Sequence, residues 1–221
     1  MSELVNVFSL DTPDVILPTE RKSFYQEQTE IFKKTGKPTK AVNVVNIFLF
    51  NEAWQLILQK RANNKAHNPD LIDKSVGWHI VYGDSPNFTV MLETVQELQV
   101  PSIVLNNDED FNKTYALLKS YVATTAVVKH FATELVSLTK IINDEHIAIG
   151  NKTYLYVWIY EGSLRNVDRE AKWVLFYSLP ELEYELGKFP DIFTYDLQFY
   201  FAKYKEYFLN FIKEVQEIKG S

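Results

Sequence analysis

Cysteine is absent from all 221 residues, and that one gap excludes disulfide scaffolds, thiolate zinc sites, iron–sulfur clusters and cysteine nucleophiles. A chain of this length can bury a core large enough to need no such staple. An excess of basic residues is also lacking. The 23 Lys plus Arg stand against 29 Asp plus Glu, a formal charge of −6, which offers no field to gather nucleic acid or an anionic membrane. Apolar runs such as 47–50 and 154–160 fall far short of the roughly 20 residues that span a bilayer. The opening stretch, Met1 to Val15, has neither the basic flank nor the apolar segment of a signal peptide. A cytoplasmic protein without nucleic-acid or membrane partners is the expectation. Walker, G-x-S-x-G and Rossmann glycine patterns are missing, and His67, His79, His130 and His146 have no metal-ligand spacing. His79 reads as a plain loop or strand histidine.

What is present suits an ordinary folded domain, with 46% hydrophobic and 24% charged residues. Val5, Val7 and Leu10, a turn-rich Asp11-Thr12-Pro13-Asp14, and Val15-Ile16-Leu17 predict a hairpin. A polar helix follows from Pro18-Thr19-Glu20 to about Lys34, closed by Gly36 and Pro38. Residues 41–50 and 54–59 read as two strands, the second ending in Lys60-Arg61. Ser85-Pro86 opens a helix over 86–98. On it Phe88, Met91, Leu92, Val95 and Leu98 share one face, while Glu93 and Glu97 lie a turn apart on another. Residues 108–121 look helical, 126–142 fit strand or helix equally, and 152–160 and 172–177 are strands. Leu179-Pro180-Glu181-Leu182 starts a further helix. The last helix carries Leu197, Phe201, Tyr204, Phe208, Phe211, Val215 and Ile218 at heptad-like spacing. That stripe suits packing on its own domain or, alternatively, a homodimer.

The stretch from Trp78 to Val100 keeps the spacing of the signature G-x5-E-x7-R-E-U-x-E-E-x-G-U, in which U is bulky and aliphatic. Glu93, Glu97 and Val100 match outright, and Asp84 stands for the first glutamate. Trp78, Leu92, Gln96 and Gln99 replace Gly, Arg, Glu and Gly. Around it come Ile57-Leu58-Gln59-Lys60-Arg61-Ala62, then Asn68-Pro69-Asp70-Leu71-Ile72-Asp73, then Ser75-Val76-Gly77. Farther on stand Glu170-Ala171-Lys172-Trp173-Val174, Leu179-Pro180-Glu181-Leu182 and Phe193-Thr194-Tyr195-Asp196. In this order the segments resemble the Nudix superfamily, in its isopentenyl-diphosphate-isomerase-like branch, whose members read "LLQKR", "FPGLWD", "S-x-GGH" and "FTPD". The resemblance spans nearly the whole chain except an apparent insertion near 106–121.

That resemblance implies an α/β (α+β) Nudix fold, a mixed sheet sandwiched between helices. Residues 1–40 would form an N-terminal hairpin and helix extension, and 41–221 the Nudix domain with its insertion and C-terminal amphipathic helix. It implies a hydrolase cleaving a nucleoside diphosphate linked to another moiety. Glu93 and Glu97 would be the catalytic and metal-binding carboxylates, helped by Asp84, with Mg²⁺ or Mn²⁺ as cofactor. Lys60, Arg61, Trp78 and Gln96 would contact substrate. The departures pull the other way. Gln96 removes an anionic ligand, Leu92 an arginine partner, and Trp78 a glycine. A Nudix-fold module that binds a nucleotide or a partner without catalysis stays open beside the hydrolase. Isomerase chemistry is disfavoured, since those enzymes use a cysteine. The insertion suggests a substrate cap or a dimer contact.

Overall fold

The computed structural model describes residues 3–162 and 171–220, without the side chains of 97, 98 and 171–173. Two strands, β1 (Leu4–Ser9) and β2 (Thr12–Glu20), form the expected hairpin and feed α1 (Arg21–Thr35). The Glu20 side chain caps α1 by accepting from the Ser23 N–H. Gly36 ends it at φ 71°, a left-handed cap that glycine adopts without a Cβ penalty. Then come β3 (Lys40–Phe50), β4 (Leu56–Arg61), β5 (Ile72–Asp73), β6 (Val76–His79) and α2 (Pro86–Leu98). Next are β7 (Ser102–Leu105), α3 (Asp108–Leu118), β8 (Ala126–Ile142), β9 (Glu145–Ile159) and β10 (Ala171–Tyr177). The chain closes with α4 (Leu179–Lys188) and α5 (Tyr195–Gly220).

The main path of the sheet runs β10-β4-β3-β9-β8-β7, with β1 and β6 also pairing to β3 and β5 to β4. β3 is apolar from Ile47 to Phe50, where both of its faces are covered, and carries Asn43 and Asn46 in its first half. Val45, Ile47 and Leu49 pack with Val90 and Val100 around α2, whereas Phe48 and Phe50 pack with Phe111, Leu182, Phe208 and Phe211. Helices therefore cover both faces of a mixed sheet, which is the fold class expected. β3 matters most for the site. It pairs with β4 only at Leu49 and Phe50, then runs beside β6 from Val44 to Ile47. The sheet forks there, and a cleft opens at the fork.

Three expectations are settled by packing. Residues 126–142 form a single strand, β8, paired with β9 along nearly its whole length. In the α5 stripe Leu197, Phe201, Phe208, Phe211 and Val215 are buried within the chain's own core, so it is not available as a dimer seam. The insertion helix α3 packs on α5: Phe111 stacks beside Tyr115 and meets Phe211. The buried Lys129 ammonium, over Phe111, Tyr207 and Phe211, pairs with Asp108 and Glu214. No residue of 102–121 lines the cleft; α3 instead buttresses α5.

The apolar face of α2 departs from the usual pattern. Phe88, Met91 and Val95 are 50%, 45% and 49% exposed, while Thr89, Val90 and Thr94 face the sheet. The buried row is narrow because Thr94 Oγ1 turns back to the Met91 carbonyl and meets the Ser102 hydroxyl at 2.8 Å. Small polar side chains thus satisfied can sit against the sheet where large apolar ones would not fit. Among the described residues no helix is long and apolar enough to cross a membrane.

Candidate functional site

The cleft at the fork encloses about 1060 Å³, ample for a nucleotide-sized ligand. Its floor comes from β3 (Asn46), β4 (Gln59, Arg61), β5 to β6 (Asp73, Lys74, Gly77, Trp78, His79) and the start of α5 (Asp196). One wall is α1. The tip of the β8–β9 hairpin and the 65–68 loop close one side, and Glu93 reaches in from α2.

A buried charge network forms the floor. Asp73 accepts from the Lys74 ammonium at 3.1 Å, Thr194 Oγ1 at 2.9 Å and Arg61 Nη1 at 3.1 Å. Asp196 Oδ2 lies 3.5 Å from Lys74 Nζ and 3.3 Å from Lys140 Nζ. Two carboxylates, Asp73 and Asp196, thus face three cations, Arg61, Lys74 and Lys140. Such charges persist out of water only because each has an opposite partner. Although burial alone would raise it, the Asp73 carboxyl is held far below its ordinary range by Lys74, Arg61 and the Thr194 hydrogen bond.

The surplus of positive charge shows in the histidines beside it. His67 is pushed down to about 3 by burial, reinforced by Lys140, Arg21 and Arg61. Burial, with Arg21 and Lys140, likewise lowers His79. Both rings are therefore neutral, and they seat α1. Tyr25 Oη lies 2.8 Å from His79 Nε2, and its ring lies 4.1 Å from that of His67. His79 is thus more than a plain strand histidine: it anchors a wall of the cleft.

The residues singled out from sequence separate here. Arg61, Trp78 and Glu93 line the cleft; Lys60, Asp84 and Gln96 do not. Lys60 turns to Asp70 at 3.7 Å, and Gln96 is exposed. The Glu97 side chain lies outside the described residues, although its backbone stands one turn beyond Glu93. Glu170 also lies outside them. Arg61 donates Nε and Nη2 to the His67 carbonyl at 3.2 and 2.9 Å and Nη1 to Asp73. Of the five N–H groups a guanidinium carries, these contacts occupy three and leave two.

The altered signature positions have local explanations. Trp78 is a regular strand residue opposite Val45, so glycine's freedom is not needed there. The close approach falls on its neighbour: a Cβ on Gly77 would stand 2.8 Å from both Asn46 Oδ1 and Lys74 Cε. Gln99 does keep a glycine's conformation, φ 56°, as the left-handed cap of α2. As a metal nest the described side chains are incomplete. Among them no three His, Cys, Asp or Glu converge, and Glu93 is the signature carboxylate that lines the cleft.

Sequence reading passed over Arg21, Tyr25, Lys74 and Lys140. One signal was available: Asp73-Lys74 directly follows the apolar pair Leu71-Ile72, and charges in such a place are paired when buried. The partners Lys140 and Asp196 come from distant segments; Asp196 stands in the family-like stretch 193–196, and nothing local marks Lys140.

No family model and no curated protein matches the sequence. Solved structures do match. A protein of Deinococcus radiodurans superposes with a TM-score of 0.57 over 89% of this chain and 94% of its own, at 15% identity. A bifunctional NMN adenylyltransferase/ADP ribose pyrophosphatase of Francisella tularensis, with AMP and manganese, gives 0.47 over 85% of this chain and 47% of its own, at 12% identity. The NUDIX domain of a Shewanella oneidensis protein bound to ADP ribose gives 0.42 over 85% and 96%, at 13%. At these identities the likeness concerns the fold. The chain shares its helix-flanked mixed sheet with the Deinococcus protein, and Nudix structures stand among its neighbours.

Proposed function

We propose that the chain is a divergent Nudix-type hydrolase whose cleft takes a nucleoside diphosphate linked to another moiety. The observation that carries this reading is the pairing of Glu93, on the helix of the signature-like segment, with a net-positive floor in one cleft. The floor cations Arg61, Lys74 and Lys140 suit a diphosphate, and the two N–H groups left on Arg61 suit its oxygens. A divalent ion, Mg²⁺ or Mn²⁺, supplies charge neutralisation and an activated water when bound. Glu93 and Glu97 are the residues that would hold it.

Metal titration of the purified chain, followed by a hydrolysis screen over nucleoside diphosphate derivatives, tests the proposal. Metal-dependent turnover that disappears in Glu93→Gln and in Glu97→Gln is expected. Ligand binding without metal binding, even at millimolar Mg²⁺ or Mn²⁺, would replace the hydrolase with a non-catalytic binding module. The neutral Gln96 and the aliphatic Leu92, where the signature has Glu and Arg, favour that second reading.

A further inference from the structure

The two long sides of the cleft are chemically unlike. Every charge of the floor network has a partner within the fold. The α1 wall is different. Its buried residues, Phe24, Tyr25 and Gln28, fix it in place: Tyr25 meets His79, and Gln28 Oε1 accepts from the Thr39 and Lys40 N–H groups at 3.0 and 3.1 Å. Lys33 ties the far end of the helix to Glu145, just past the hairpin tip, at 2.5 Å. The helix is thus held from below and at its end.

Lys22, Gln26, Thr29 and Glu30, at i, i+4, i+7 and i+8, form one row that lines the cleft. Among the described residues Gln26, Thr29 and Glu30 make no side-chain hydrogen bond or ion pair, and neither does Asn143, the hairpin-tip residue that also lines the cleft. Beyond the Lys22 ammonium at its start, a rigidly anchored helix therefore presents an amide, a hydroxyl and a carboxylate, with a second amide nearby, and these last four make no contact that serves the fold.

We infer that this row is a specificity wall that recognises a polyhydroxylated, sugar-type group attached to the diphosphate; the inference rests on the nucleoside diphosphate reading above. The chemistry of the row selects that class. Sugar hydroxyls donate and accept at once, and the row offers both: acceptors on Glu30 and Gln26, donors on Gln26, Thr29 and Asn143. An isoprenoid or acyl tail needs an apolar surface, yet the aliphatic lining, Val44, Val76 and Ile142, belongs to the sheet strands rather than to α1. A second diphosphate would meet the Glu30 carboxylate.

Calorimetric titration of the full chain with inorganic pyrophosphate, ADP, UDP, ADP-ribose and UDP-glucose tests the wall. At least one sugar conjugate is expected to bind about tenfold or more tightly than its parent nucleotide, the gain of one or two charge-assisted hydrogen bonds. The double substitution Gln26→Ala/Glu30→Ala is expected to erase that gap and leave ADP and UDP affinity unchanged. Both side chains are exposed, and an unchanged melting temperature verifies that the fold is intact. Equal affinities for conjugate and parent, or a gap that survives the double substitution, overturns the wall's role. If pyrophosphate, ADP and UDP all fail to bind, the nucleoside diphosphate reading falls with it.

Discussion

The floor and the α1 wall of the cleft are both rich in charged and polar side chains, yet they stand in opposite relations to stability. On the floor, Asp73 and Asp196 sit out of water against Arg61, Lys74 and Lys140, and removing one partner strands another charge. On the wall, Gln26 and Glu30 are exposed and line the cleft, and their removal strands nothing. A polar residue in a cleft is therefore no guide to its role until its partners are counted. The floor is a scaffold that also sets the local field. The wall is free to vary with the ligand.

The largest expected effect breaks this contrast at its strongest point. Asp73→Ala leaves Lys74 and Arg61 without their shared carboxylate and should cost about 3–5 kcal/mol in urea unfolding. Gln26→Ala should change stability by about 0.5 kcal/mol or less in the same assay. Comparable losses for the two would dissolve the distinction.

Acid sharpens the comparison, because the titrations of His67, His79 and Asp73 all belong to the floor and its neighbours. His67 falls from 6.5 unfolded to about 3 folded. Its neutral form therefore contributes fully above pH 6.5, and the contribution is lost as pH falls toward 3. Asp73, also depressed, contributes above the ordinary carboxylate range and loses that contribution below it. The melting temperature should decline in two stages from pH 7 downward. His67→Phe, which keeps a ring against Tyr25, should shrink the first stage and leave the part that the likewise lowered His79 contributes. A flat profile between pH 7 and 5 in the parent protein would contradict the assignment.

A small effect of opposite sign lies on the opposite side of the cleft, on α2. Gln99 holds φ 56° at the cap of that helix, so Gln99→Gly should raise stability by about 0.5–1 kcal/mol by thermal unfolding. Destabilisation instead would mean that the Gln99 side chain carries a contact of its own.

The parts of this molecule legible in the sequence were those set by local chemistry. Ser85-Pro86 marked the start of α2, Gly36 the end of α1, and the aromatic spacing of α5 its buried face. Other features depended on distant partners. Residues 126–142 looked ambiguous because β8 is half-covered along much of its length, which blurs the alternation expected of a strand. Phe88, Met91 and Val95 promised a buried face, but Val90 and the internally bonded Thr94 took the sheet side. In the cleft, Arg61, Trp78 and Glu93 were found through a family-like segment, whereas Lys140 and Asp196 meet only through the completed fold.

The parallel pairing of β3 with β9 joins Ala41 to Gly150 and continues in register to Phe50 and Ile159. The central seam of the sheet thus unites segments more than a hundred residues apart, position 41 against position 150. Closing so long a loop is slow relative to local helix formation. Until β9 emerges from the ribosome, β3 lacks its parallel neighbour and much of the cover on its two apolar faces, which makes it the segment most in need of shelter in the nascent chain.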